Sequence, residues 1–273
     1  MVRKLLSFVA TVKHKTSIIS AMENPFLSVI IPSFNEKLNL SRNVLDQVND
    51  FLVKQDFSWE VILSDDGSTD GTAQELANYT DAHPGFRLLA NNHAGKGPTV
   101  KAGMLAAKGD WRLFTDFDQS TPIQEIKKLW PFMKSYQVIS GSREVSGAMR
   151  DKEPLHRHIM GRGFNFLVQL LAVPGMLDTQ CGFKLFSAAA TEKLFSSLYI
   201  YGGNLPMKHA FTGAFDVELL FLAHKYHFPM VEVAIIWHHY QSDRVNPVRD
   251  SLRMLRDILK IRWADMTGKY AKA

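Results

Sequence analysis

Four times between Leu27 and Thr115, a short apolar run rich in β-branched or aromatic residues stops at a polar turn, and helical periodicity follows each turn. No other feature constrains the fold as strongly. Strands joined through helices run parallel, and a parallel sheet needs helices on both faces. The runs are Leu27 to Pro32, Trp59 to Leu63, Phe86 to Ala90 and Trp111 to Thr115, with Val138 to Ser140 as a fifth. Between them, Leu38, Val44, Leu45, Val48 and Leu52 mark one helical stretch, Thr72 to Tyr79 a second and Thr99 to Ala107 a third; Pro122 opens a fourth. After about Arg150 the alternation loosens, so the C-terminal half is expected to add a mixed edge and helices to the same sheet. The expectation is an α/β chain with a mostly parallel sheet and no linker or repeat to divide it.

Composition removes several classes. With 46% hydrophobic and 22% charged residues, the chain lies outside the disordered, collagen-like and low-complexity ranges. A single cysteine excludes an intrachain disulfide. Thirty-two basic and 27 acidic side chains give a net +5, an excess that suits a phosphate-bearing ligand or an anionic membrane. No nucleic-acid-binding module is recognisable, and no nucleic-acid partner is expected. No apolar run reaches the roughly 20 residues that span a bilayer.

In this architecture ligands bind beyond the carboxyl ends of the strands, and two acidic clusters fall there. The second strand runs into Asp65-Asp-Gly-Ser-Thr-Asp-Gly-Thr72, and the fourth into Asp116-Phe-Asp118. Alternation along an extended segment would point Asp116 and Asp118 to one side, where two carboxylates can hold a hard divalent cation whose other ligands are phosphate oxygens. Asp65 and Asp66 can accept hydrogen bonds from a base edge or ribose hydroxyls, or they belong to a turn and helix cap, which these residue types also favour. Asn91-Asn-His-Ala-Gly-Lys-Gly97 lies between the clusters, at a turn before a helix where Lys96 and backbone N–H groups could meet an anion. The order of Gly, Lys and Ser/Thr is not that of a P-loop, and no Gly-x-Gly-x-x-Gly follows the first strand.

Taken in order, Val29-Ile-Ile-Pro-Ser-Phe-Asn-Glu36, the Asp65–Thr72 cluster, Gly95-Lys-Gly97, Asp116-Phe-Asp118 and Gly141-Ser-Arg143 resemble family 2 glycosyltransferases of the GT-A fold, over about Leu27 to Met254. Asp178-Thr-Gln-Cys-Gly-Phe-Lys-Leu-Phe186 and Ala214-Phe-Asp-Val-Glu218 look like the dolichyl-phosphate β-glucosyltransferase branch. The resemblance implies an inverting, metal-dependent hexosyltransferase that moves a sugar, glucose from UDP-glucose above all, to a polyprenyl phosphate. With the GT-A catalytic domain expected over 25–246, the residue pattern adds a basic amphipathic leader over 1–24 and a C-terminal amphipathic helix and tail of the same domain over 247–273. The resemblance places Pro32, Glu36, Asp65 and Lys96 around the nucleotide with Asp66 close by, and Mg²⁺ or Mn²⁺ on Asp116 and Asp118. Arg143 matches an arginine near the acceptor phosphate, with a two-pronged contact in view; Arg244 matches a basic residue in a loop closing over the diphosphate. Ser120 stands where some relatives carry Gln, and Arg244 where the glucosyltransferases usually carry Lys. The N-terminal anchor of many eukaryotic relatives has no counterpart here, so peripheral attachment on the cytoplasmic face of a membrane is expected.

A phosphate monoester acceptor is already ionised near neutrality, its second pKa being about 6, and needs no general base. Asp216 and Glu218 are the candidates if one is needed, as in a relative acting on a saccharide hydroxyl; otherwise they are acidic residues favouring a helix start. A third reading is a nucleotide-sugar-binding protein without turnover. His156, His158, His238 and His239 lack a metal-site spacing, and Cys181 reads as a small buried residue.

Two stretches face the membrane question. Leu5, Val9 and Val12, among basic residues, fit either an interfacial helix or a frayed leader. Near the C-terminus, Val248, Leu252, Leu255 and Leu259 form an apolar stripe, and Arg249, Arg253, Arg256 and Lys260 a basic one, with Trp263 beyond; this basic amphipathic helix suits a membrane surface. Phe164 to Val173 reads as a core helix or as part of a prenyl groove.

Overall fold

Strand β1 (Leu27–Ser33) is buried at every position, as a strand covered on both faces must be. The computed structural model describes residues 24–151, 168–202, 214–240 and 247–270. Strand β1 pairs in parallel with β2 (Trp59–Asp65) on one side and β4 (Trp111–Thr115) on the other, and β3 (Phe86–Ala90) adds beyond β2. Beyond β4, strand β7 (Phe183–Ser187) runs antiparallel between β4 and β5 (Val138–Ser142), and β8 (Met230–Ala234) lies parallel to β5. Among the described residues the sheet order is β3-β2-β1-β4-β7-β5-β8; β6 (Met149–Arg150) and β9 (Ile236–Trp237) form a separate parallel pair. The expected mixed part therefore lies within the sheet. The single antiparallel strand is inserted between two strands of the other direction, and it carries the Cys-Gly-Phe-Lys motif next to β4.

The helical stretch expected from Leu38 to Leu52 is two helices, α1 (Lys37–Leu40) and α2 (Val44–Leu52). Asn43 separates them at φ 54°, a left-handed conformation that asparagine tolerates better than most residues. Helix α3 spans Thr72–Ala82 and α4 Lys96–Ala106. Helix α4 starts three residues before the expected Thr99, because Gly95 turns the chain at φ 92° and the Thr99 hydroxyl donates to the Gly95 carbonyl at 2.8 Å. After Pro122 a 3₁₀ turn leads into the one-turn helix α5 (Ile126–Leu129). Helix α6 (Ala188–Ser196) is capped by Ser187, whose hydroxyl oxygen accepts the Ala190 N–H at 3.2 Å. Helix α7 is Phe215–Lys225 and α8 Pro247–Met266.

Period-two alternation sorts the strands onto two cores. Val29 and Ile31 of β1 pack with α2 and with Leu76 of α3, while Ile30 packs with α4, α6 and α7. Ile258, Ile261 and Ala264 of α8 join the second of these cores. So do Val168, Ala172 and Val173, whereas Leu170 is exposed; positions 164–167 of the stretch read as a core helix or prenyl groove lie outside the described residues. Each fully buried Val, Leu or Ile contributes about 1.5–3 kcal/mol relative to leaving it exposed.

Candidate active site

The strand order reverses at β1. The chain moves outward from β1 to β2 and β3, then returns to place β4 on the other flank. Such a switch point opens a crevice beyond the carboxyl ends of the strands. Pro32 is buried near the end of β1, in register with Ser64, and Ser33 faces Asp65.

The Asp65 carboxylate accepts the Ser33 hydroxyl at 2.9 Å, the Ser68 N–H at 2.9 Å and the Ser68 hydroxyl at 2.6 Å. Asp66 accepts the N–H groups of Ala94 at 2.8 Å and Gly95 at 2.9 Å, and meets the His93 ring at 2.8 Å. Both carboxylates are buried and tie the turn after β2 to neighbouring loops; Asp66 holds the loop that launches α4. Glu36 is buried too and accepts the Asn39 side-chain N–H at 2.6 Å. Phe34 stacks on His93 with ring centroids 4.3 Å apart, a flat surface near the crevice that sequence reading did not single out.

Lys96 is the first residue of α4, and its ammonium reaches the Asp116 carboxylate at 2.5 Å. Burial alone would lower the Lys96 pKa; the charges of Asp116, Asp216 and Asp118 outweigh it and hold the ammonium above its ordinary value. Asp116 and Asp118 come together, though not through strand alternation. Strand β4 ends at Thr115, and a turn follows in which the Gln119 N–H donates to the Asp116 carbonyl at 3.2 Å and Gln119 takes φ 52°. Asp118 accepts the Ser120 N–H at 2.9 Å, so Ser120 holds a metal-motif carboxylate through its backbone. Burial and then the Asp116 charge push the Asp118 pKa up. Two crowded carboxylates of this kind fit a hard divalent ion that takes its remaining ligands from a diphosphate. Among the described residues, no group of three His, Cys, Asp or Glu side chains comes together to hold a metal by itself.

Arg143, just beyond β5, is locked to Asp178: Nε to Oδ2 at 2.7 Å, Nη2 to Oδ1 at 2.8 Å, and backbone N–H to Oδ2 at 3.0 Å. The two-pronged face expected to meet an acceptor phosphate is thus engaged by a carboxylate, and the guanidinium carbon lies 5.4 Å from the Trp237 ring centroid. Burial opposes ionisation of Asp178, yet Arg143 overrides it and holds the carboxyl down at about 2.

Asp216 and Glu218 sit in the first turn of α7, and neither is presented to solvent. Asp216 accepts the Lys184 ammonium at 2.7 Å, with Lys184 itself fully buried; burial raises the Asp216 pKa while Lys184 and Lys96 oppose the rise. Glu218 accepts the N–H groups of Tyr199, Ile200 and Tyr201 at 2.8 to 2.9 Å and the Tyr270 hydroxyl at 2.8 Å, which makes it a structural bracket. Lys184 had a signal in the sequence: a charge in the apolar run Phe183-Lys-Leu-Phe186 requires a buried partner. His238 meets Asp151 at 3.3 Å at the surface. Cys181 is buried, which pushes its thiol up to about 12. Arg244, His156 and His158 lie outside the described residues.

Comparison with known proteins agrees with this geometry. The sequence profile of glycosyl transferase family 2 matches residues 28–195, more than half of the chain. The fold is shared with solved glycosyltransferases: glucosyl-3-phosphoglycerate synthase from Mycobacterium tuberculosis, in complex with Mn²⁺, UDP and glucosyl-3-phosphoglycerate, aligns at TM-score 0.55 and 18% identity over 89% of this chain and 80% of its own. The mannosyltransferase PcManGT from Pyrobaculum calidifontis, with GDP-Man and Mn²⁺, aligns at 0.53 and 16% over 97% and 83%. The crevice, the paired aspartates and the family match together define a glycosyltransferase of the GT-A fold. Within that class, dolichyl-phosphate β-glucosyltransferases are similar over most of their length. The Dictyostelium discoideum enzyme is 35% identical, covering 96% of this chain and 80% of its own, and the Homo sapiens enzyme 33%, covering 89% and 77%. The chain belongs to the dolichyl-phosphate β-glucosyltransferase family of family 2 glycosyltransferases.

Proposed function

We propose that this enzyme transfers glucose from UDP-glucose to a polyprenyl phosphate of the dolichyl type, with inversion and with a divalent metal at Asp116 and Asp118. The observation that carries the reading is the juxtaposition of those two aspartates with Lys96 at the switch point, in a chain one third identical to dolichyl-phosphate β-glucosyltransferases. Mg²⁺ or Mn²⁺ would supply Lewis-acid stabilisation of the departing diphosphate. Lys96, kept charged by its carboxylate neighbours, would add a preorganised cation on the same side of the crevice. Pro32, Glu36 and the turns held by Asp65 and Asp66 would shape the nucleotide cradle, with Arg244 closing over the diphosphate.

A phosphate acceptor brings its own negative charge, and no side chain has to remove a proton from it. That agrees with Asp216 being paired to Lys184 and Glu218 being committed to four donors. Transfer to a saccharide hydroxyl would require a carboxylate free to act as base. The acceptor's charge would meet Arg143 at its remaining N–H groups, in an orientation set by Asp178.

The acceptor class implies a membrane, and no helix of the described residues is long and apolar enough to cross one. Helix α8 supplies a surface of the required chemistry. Leu252, Leu259, Trp263 and Met266 are 65%, 55%, 59% and 75% exposed on the side opposite Ile258 and Ile261, with exposed Arg256, Lys260 and Arg262 beside them. An exposed apolar stripe flanked by cations suits the anionic surface of a bilayer, on its cytoplasmic face in this reading.

The test is direct. Purified protein is incubated with labelled UDP-glucose and Mn²⁺ or Mg²⁺, with and without a short polyprenyl phosphate, and the lipid is extracted. Metal-dependent label in an acid-labile lipid is expected. Label that requires a saccharide acceptor would move the reading to a hydroxyl-directed relative, and bound UDP-glucose without any transfer would mark a nucleotide-sugar-binding protein.

A further inference from the structure

The segment Cys181–Lys184 takes no part in the proposed chemistry, yet it touches the Asp116 carboxylate, which does. Lys184, the second residue of β7, donates to Asp216 at 2.7 Å and to the Cys181 carbonyl. That contact folds the segment so that Gly182 lies directly against Asp116. Register brings them together: Thr115 of β4 faces Phe183 of β7, and one step further the Asp116 N–H donates to the Gly182 carbonyl at 3.1 Å.

The backbones are therefore pinned, and the Asp116 carboxylate occupies the space where any other residue would carry a side chain. A methyl group on Gly182 would stand 2.0 Å from Oδ2, 2.4 Å from Cγ and 2.6 Å from Oδ1 of Asp116. All three atoms belong to the carboxylate end of one side chain. A Cβ at this position would swing that end off its place while leaving the backbone pairing intact.

We propose that Gly182 is a positioning residue that fixes the Asp116 carboxylate against Lys96 and toward Asp118, in the orientation needed to ligate the metal. The inference rests on the reading of Asp116 as a metal ligand. It also gives a physical role to the glycine of the Asp-Thr-Gln-Cys-Gly-Phe-Lys motif: the residue is absent volume under a carboxylate, with no positive φ involved.

The experiment is calorimetric titration of UDP into wild type and Gly182→Ala, once with Mn²⁺ and once with EDTA, alongside thermal melting. Wild type is expected to bind UDP more tightly with Mn²⁺. In Gly182→Ala that Mn²⁺-dependent gain should fall by about 10- to 100-fold, the range lost when support around a metal ligand is disturbed, with EDTA affinity unchanged. An undiminished gain in a folded Gly182→Ala protein would overturn this inference alone. Absence of any Mn²⁺ effect in wild type would overturn it together with the metal assignment. Stability supplies a second arm: with the carboxylate removed, Gly182→Ala should shift the melting temperature less in an Asp116→Ala background than in wild type. Equal shifts in both backgrounds would mean that the glycine serves general packing, and the proposal would fail.

Discussion

Single residues divide here into those that face the crevice and those that hold them. Asp118→Ala is expected to lower transfer by about 10²–10³-fold, the usual loss when one group stabilising developing charge is removed; circular dichroism and melting should stay near wild type, since Asp118 sits in a turn, held by the Ser120 N–H, rather than in either apolar core. Asp178 behaves differently because its energy lies in the Arg143 clamp. Its folded pKa of about 2 lies below the ordinary 3.8, so its contribution is present above about pH 4 and is lost as pH falls toward 2. Urea melts between pH 5 and 2 should show a steeper acid loss in wild type than in Asp178→Asn, which lacks the titrating group. Lys184→Met should cost about 3–5 kcal/mol by leaving Asp216 buried and unpaired, while Lys184→Met combined with Asp216→Leu should recover much of that loss in a denaturant melt. At this scale the sequence showed which residue types gather at strand ends. It could not show which of them are free, because Arg143, Asp216 and Glu218 look equally available until Asp178, Lys184 and the Tyr199–Tyr201 backbone are placed around them.

Among the elements, α8 carries two apolar faces, one turned to the protein and one turned away from it. The apolar stripe of Leu252, Leu255 and Leu259 exists, yet the core takes the other side, through Ile258, Ile261 and Ala264. Helical periodicity marks apolar positions but does not say which of two apolar faces meets the protein. The two faces should separate experimentally. Ile261→Ala should cost about 2–4 kcal/mol in stability, as a buried truncation does. Leu259→Ser with Trp263→Ser should leave stability within about 0.5 kcal/mol and weaken flotation with anionic vesicles by roughly tenfold or more, since each lost apolar contact is worth about 1–2 kcal/mol. Vesicle binding unchanged by that pair would detach α8 from the membrane reading. The element also touches the site's surroundings: the Tyr201 hydroxyl donates to Asp257 of α8 at 2.5 Å, and Tyr201 packs where a Gly97 side chain would sit, at the start of α4.

For the molecule as a whole, the metal and the fold should be separable. The proposed ligands are two crevice carboxylates, while the cores on either side of the sheet are apolar. EDTA should therefore abolish transfer, Mn²⁺ or Mg²⁺ should restore it, and the melting temperature without nucleotide should move by no more than a degree or two; a large shift would make the ion part of the fold. The sequence by itself determined the strand–helix alternation of a mostly parallel sheet and the acidic motifs at its strand ends, because period and turn chemistry are local and each strand declares its own end; the reversal of strand order at β1 came from the tertiary structure. Tertiary structure alone decided the antiparallel insertion of β7 between β4 and β5, and with it the contacts of Gly182 on Asp116 and Lys184 on Asp216. Those contacts join residues 66 and 32 positions apart in the chain, and no local pattern of side chains encodes which distant strand will pair with which.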